Sequence, residues 1–176
     1  MSMSHALLIS LLEKPSSGFE LARRFERSIG YFWHATHQQI YRELGRMEAA
    51  GWIEGQAADD AGRTRKRVYQ VLPAGRGELA RWTAEPAEHL LPRDAFTLKV
   101  RAAAVMEELD LRPEAQAYMA LHQARLAEYQ AIEQRDFPEL EGLSRRDRIQ
   151  RAILQRGIRF EVCEIEWAQT LLQALE

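Results

Sequence analysis

The chain has 176 residues, 46% hydrophobic and 28% charged, which is ordinary for a globular protein and enough for one substantial domain or two small ones. No apolar run approaches the roughly 20 residues of a membrane span, which argues against a transmembrane segment; the single cysteine, Cys163, excludes an intramolecular disulfide framework and fits a reducing cytoplasm. The net charge of −2 hides an asymmetry, 12 Lys+Arg against 9 Asp+Glu over residues 1–82 and 12 against 17 over 83–176, so only the front half is suited to meet a polyanion.

In chain order, residues 3–13 carry Ala6, Leu7, Leu8, Leu11 and Leu12 as a helical stripe. The opening MSMSHALLISLLEKP lacks the basic leader and small-residue cleavage site of a signal peptide, so it reads as an amphipathic first helix. Pro15 and Ser16-Ser17-Gly18 end that helix. Ser17-Gly18-Phe19-Glu20 then has the S-x-x-E form of a capping box, which predicts a second helix from about Gly18 to Ser28 that buries Phe19, Ala22, Phe25 and Ile29. Thr36 caps a third helix running to Ala50, and Gly51 terminates it in the left-handed conformation that glycine tolerates.

On that third helix, at 100° per residue, Ile40, Leu44 and Met47 fall within roughly 60° of one another and form the buried face. Gln38, Arg42, Gly45 and Ala49 lie opposite, flanked by Gln39 and Arg46. This outward strip contains no acid. After Gly51 the period changes: Trp52-Ile53-Glu54 is a short strand, QAADDAGRTRK a polar tip, and Arg67 to Val71 a second strand, together a β-hairpin. Ala74 to Ala84 returns to helix and buries Leu79 and Trp82. Residues 85–92 read as a linker, and the remainder as helices over about 93–109, 113–135 and 144–174.

Three helices, a hairpin and a fourth helix are the element order of a winged helix-turn-helix. The predicted fold is therefore mainly α: a winged helix-turn-helix over residues 1–84, a linker over 85–92 and a C-terminal helical dimerisation domain over 93–176. A major groove about 12 Å wide admits one helix whose exposed side chains reach base edges. Arg42 can take guanine bidentately, and Gln38 or Gln39 adenine, with Thr36 and His37 at the same end of the helix. Arg63, Arg65, Lys66 and Arg67 at the hairpin tip suit phosphates or the adjacent minor groove.

The segments LLISLLEKPSSGFELARRFE, HQQIYRELGRMEAAGWIEG, GRTRKRVYQV and AGRGELARW resemble the PadR-type transcriptional regulators. LPRDAFTLKVR and the helices after it resemble the C-terminal region of the subgroup similar to the virulence activator alpha protein. The resemblance covers nearly the whole chain. It implies a cytoplasmic homodimer that binds an inverted-repeat operator, often repressing transcription in response to a small molecule. It also implies a backbone or groove contact for Tyr41 and wing contacts for Arg63 and Arg65. Two departures stand out. Leu72-Pro73 replaces the Thr that the family often has before the fourth helix, and Ser17-Gly18 replaces its frequent His-Gly; both bear on capping.

The last helix points to dimerisation on its own account. Ile149, Ile153, Phe160, Trp167 and Leu171 share one direction, while Leu154, Ile158, Val162, Ile165 and Leu172 cluster roughly 100–180° away. A helix with two apolar faces needs two packing partners, its own helices and a second subunit.

Other chemistry finds little support. His34 and His37 stand at i, i+3, but no H-E-x-x-H or Cys/His cluster joins them, so neither a metal nor a cofactor is expected. Cys163 has apolar neighbours and reads as an inert buried thiol. No P-loop, G-x-S-x-G or dinucleotide fingerprint is present, which argues against an enzyme. Trp33, Phe32, Trp82 and Phe96 supply aromatic surface near the domain junction that would suit a small-molecule effector. Two functional classes follow: a dimeric, sequence-specific DNA-binding regulator, or a protein-interaction module that keeps a winged-helix scaffold without reading DNA.

Overall fold

In the computed structural model, residues 3–26, 35–57, 67–87, 94–106 and 108–176 are described, and the chain divides into two units, Met1–Leu90 and Leu91–Glu176. In the first unit α1 (Met3–Glu13) is followed by β1 (Ser16–Ser17), α2 (Gly18–Glu26), α3 (His37–Ala49), β2 (Ile53–Ala57), β3 (Arg67–Val71) and α4 (Pro73–Thr83). The hairpin strands pair antiparallel with Ile53 opposite Val71 and Gly55 opposite Tyr69. Ser16 and Ser17 add a third strand on the far side of β3, giving the order β1-β3-β2. Two residues carry no readable period, so this strand was not expected from the sequence.

One core closes the unit. Leu7, Leu8 and Leu11 from α1, Leu21, Ala22 and Phe25 from α2, Ile40, Leu44 and Met47 from α3, and Ile53 from β2 are buried together. Each of the Leu, Ile, Met and Phe side chains among them contributes about 1.5–3 kcal/mol relative to remaining in water. Arg24 binds the end of α1 to its neighbours. Its guanidinium donates to the carbonyl of Ser10 (2.6 Å), which also accepts from Lys14 N–H, to the carbonyl of Lys14 (2.8 Å) just past the helix end, and to Ser16 Oγ.

Both ends of α3 are locked as the sequence predicts. Thr36 Oγ1 accepts from Gln39 N–H (3.2 Å) and Gln39 Oε1 from Thr36 N–H (2.9 Å), a complete capping box. At the other end Gly51 has φ +70°, Gly51 N–H donates to Glu48 O and Trp52 N–H to Met47 O, the paired bonds of a Schellman ending. Leu72 precedes α4 without any side-chain capping bond, and Pro73 at the first helical position has no N–H to satisfy.

Three burial expectations fail here or fall short. Phe19 is 56% exposed, because the capping box places it in the first turn of α2 facing outward, with the Arg23 guanidinium 5.8 Å from its ring centroid. Trp82 is only half-buried, stacked at 4.5 Å on the buried His5 ring, and Leu79 is likewise half-buried. Ile29 lies outside the described residues.

The second unit holds α5 (Ala95–Ala103), α6 (Arg112–Asp136) and α7 (Arg145–Ala174). Asp94 caps α5, accepting from Phe96 N–H at 2.9 Å, and Ser144 caps α7, accepting from Asp147 N–H at 3.1 Å. α5 stops well short of residue 109. Glu107 and Glu108 would set negative charge against the negative end of a longer helix, and Asp110 Oδ1 accepts from Arg112 N–H to start α6. α6 and α7 run antiparallel, since Tyr118 meets Glu164, His122 meets Glu161 and Glu133 meets Gln155. Phe96, Ala115 and Leu171 form a small core joined by Val100, Tyr118, Trp167, Leu172 and Leu175. His122 Nδ1 lies 2.5 Å from Glu161 Oε2, and both side chains are buried. Beside them Tyr118 donates to Glu164 at 2.6 Å; burial, then that carboxylate, raises its hydroxyl pKa above the ordinary value. Cys163 is exposed, contrary to the sequence reading, because its apolar neighbours in sequence project to other sides of α7.

Candidate nucleic-acid interface

The core fixes one side of α3 and so dictates what the other side shows. With Ile40, Leu44 and Met47 buried, Gln38, Gln39, Tyr41, Arg42, Gly45, Arg46 and Ala49 are exposed. The acids of the helix are turned away from this strip. Glu43 is half-buried and accepts from Ser4 Oγ of α1 at 2.5 Å, while Glu48 is directed to the hairpin, with its carboxylate 3.0 Å from Gly55 N. The outer surface of α3 thus keeps donors, acceptors and positive charge.

The sequence candidates on this helix are not equivalent. Thr36 and Gln39 are engaged in the capping box. His37 Nε2 lies 2.8 Å from Glu26 Oε1, joining the start of α3 to the end of α2. Tyr41 is 48% exposed, and its ring lies against Gly18: a Cβ there would come within 2.5 Å of Tyr41 Cε1. That contact explains the glycine of Ser17-Gly18 and fixes the ring at the start of α2. Gln38 and Arg42 project from the middle of the exposed strip. Arg46 stands 3.4 Å from Glu43, a weak surface pair.

Arg63, Arg65 and Lys66 lie outside the described residues. Arg67, counted with them in the sequence, begins β3 and is bound to Glu48 at 2.6 Å. Sequence reasoning missed this pair, whose members are 19 residues apart and meet only once the hairpin has formed. Among the metal and effector candidates, His34, Phe32 and Trp33 lie outside the described residues. Trp82 packs in the first unit and Phe96 in the second, where its ring stacks 4.7 Å from Tyr118. Among the described residues no cluster of three or more His, Cys, Asp or Glu could hold a metal, and no helix is long and apolar enough to cross a membrane.

Residues 7–81 match the model of the transcriptional regulator PadR-like family, and residues 92–176 match the virulence activator alpha C-terminal model. A probable transcriptional regulator of Mycobacterium tuberculosis is 41% identical over all of this chain and 98% of its own length. The chain belongs to the PadR-like family of transcriptional regulators. Its relatives are regulators rather than enzymes. The negative transcriptional regulator PadR of Bacillus subtilis is 22% identical over 99% of the chain and 97% of its own length. The virulence activator AphA of Vibrio cholerae superposes with a TM-score of 0.80 at 30% identity, covering 99% of this chain and 98% of that one. Bacillus subtilis PadR, solved in complex with operator DNA, superposes at 0.86 with 22% identity over 98% of this chain and 97% of that one, a likeness of fold. The mainly helical winged-helix architecture and the family resemblance read from the sequence are thereby borne out.

On α7, the residues expected at a dimer interface divide into three groups. Trp167, Leu171 and Leu172 pack inside their own unit. Ile153 and Phe160 are each 51% exposed, next to exposed Ile149 and Val162, while Leu154, Ile158 and Ile165 are half-buried.

Proposed function

We propose that this PadR-like regulator is a cytoplasmic homodimer that binds an inverted-repeat operator and represses transcription until a small aromatic effector releases it. The observation that carries the reading is the outward strip of α3, polar, acid-free and locked at both ends. Gln38 and Arg42 read base edges in the major groove, and Tyr41 contacts the backbone or groove wall. Thr36, His37 and Gln39 hold the helix start against phosphate, and Arg63, Arg65 and Lys66 supply the phosphate contacts of the wing. Bacillus subtilis PadR, of the same fold, has been solved with operator DNA and with p-coumaric acid, which supports the choice of operator and effector class.

Two copies meet through Ile153 and Phe160, with Leu154, Ile158 and Ile165 beside them; Trp167, Leu171 and Leu172 support this face from within each subunit. The pair would place its reading helices about 34 Å apart, one turn of B-DNA or a multiple of it.

Selection of duplexes from a random pool tests the reading, since recovered sites should be palindromic with half-sites one turn or a whole number of turns apart. Arg42→Ala should relax base preference at a cost of about 1–3 kcal/mol, and Arg65→Ala should weaken all duplexes alike. Unchanged duplex binding in both variants would hand the fold to the protein-interaction reading.

A further inference from the structure

We propose that Glu48 and Arg67 form a positioning clamp that sets the β2–β3 wing against α3, so that an acidic residue at a polyanion-binding surface strengthens DNA binding. The inference rests on the DNA-binding reading above and assigns Arg67 a role other than the phosphate contact its place in the basic run suggests.

The geometry is specific. Glu48 follows the buried Met47, at the edge of the apolar stripe that faces the hairpin. Its Oε1 accepts from Gly55 N–H (3.0 Å) and from Arg67 Nη2–H (2.6 Å), and its Oε2 accepts from Arg67 Nη1–H (3.2 Å). Arg67 Nη2 also donates to the Gly55 carbonyl at 2.9 Å, and the guanidinium carbon stands 5.7 Å from the Tyr69 ring centroid. Gly55 makes room for this. A Cβ there would approach Arg67 Nη2 and Tyr69 Cε1 to 2.9 Å each.

A half-exposed ion pair adds little to stability in itself. A bidentate guanidinium–carboxylate fork does fix direction, and here the same carboxylate also fixes a backbone N–H. Direction is what the wing needs. Two strands alone are marginally stable, β1 supports β3 through only two residues, and β2 is an edge strand of the sheet. Through Arg67 on β3 and Gly55 on β2 the clamp joins both hairpin strands to the last turn of the reading helix, so the wing and α3 present themselves to a duplex as one surface.

Charge gives the test its sign. Glu48→Gln removes a negative charge beside a polyanion yet keeps an oxygen for Gly55 N–H. A bystander Glu48 would leave binding unchanged or tighten it. The clamp predicts weaker binding, by roughly threefold to tenfold, on every duplex alike and with a shallower dependence on salt as wing contacts to phosphate are lost. The full-length chain is titrated with a selected duplex and a scrambled one across a salt series, comparing wild type, Glu48→Gln, Arg67→Gln and the double variant. The double variant should bind no worse than the weaker single one, and Glu48→Asp should recover part of the loss. Unchanged or tighter binding by Glu48→Gln overturns the clamp, as does a loss confined to base preference or one that follows a collapse of the melting transition. Wild type that binds no duplex sinks the DNA-binding reading and the clamp with it; normal wild-type binding with an indifferent Glu48→Gln sinks the clamp alone.

Discussion

The two units use apolar residues at the same helical spacing and dispose of them differently. In the first, ten side chains from α1, α2, α3 and β2 converge on one buried cluster, and Phe19 stays outside it. In the second, a smaller cluster around Phe96, Ala115 and Leu171 covers one end of α7, while Ile149, Ile153 and Phe160 face outward. The second unit also buries a polar contact, His122 against Glu161, within its helix pair. A unit with a closed core can hold a rigid reading surface by itself. A unit that leaves apolar surface uncovered is built to be completed by another molecule, and in the proposed dimer that molecule is a second copy.

Perturbing each unit separately sharpens this contrast. Phe25→Ala should cost the first unit about 3–5 kcal/mol through the cavity it opens, and thermal melting should show the same loss at every protein concentration. His122→Leu in the second unit leaves the buried Glu161 carboxyl without this partner, at about 1–3 kcal/mol, whereas the double change His122→Leu/Glu161→Leu should recover most of that loss. If the single and double variants melt alike, the pair contributes nothing by being paired. Ile153→Asp acts on association rather than packing. Sedimentation should find monomers, and the second unit's melting should lose its dependence on concentration; a dimer that survives would move the interface elsewhere.

The smallest effect concerns pH. Hydrogen bonds from Arg81, then from His5, hold the Glu78 carboxyl down to about 2. A carboxyl depressed in the folded state adds stability above its unfolded value, near 4.5, and loses it as pH falls towards 2. Acid titration of the first unit should therefore show a stability loss in that window, and Glu78→Gln should remove it. A profile identical in the variant would assign the acid sensitivity to other groups.

Legibility in the sequence followed the range of the interaction. The Thr36 cap, the Gly51 ending and the Ile40-Leu44-Met47 stripe are decided within a few residues of chain and were read correctly, while the reciprocal bond from Gln39 that completes a capping box was not. Gln38 and Arg42 on the exposed side follow from the same periodicity. What escaped was tertiary. β1 is a strand only because β3 lies beside it, and Arg67 leaves the basic run only because Glu48 reaches it across the hairpin. His122 and Glu161 become partners through the antiparallel course of two helices, with 39 residues between them. Phe19 and Cys163 were misjudged because apolar character near a residue in sequence says little about which way its own side chain points.

The capping box has a consequence for redirecting this regulator to a different target. Thr36 and Gln39 are committed to holding the helix start, and His37 to Glu26, so changing them disturbs the scaffold before it alters recognition. Variation confined to Gln38, Arg42, Gly45 and Ala49 leaves those attachments intact. Under the proposed operator reading, a small combinatorial library at these four positions should change operator preference while keeping the scaffold.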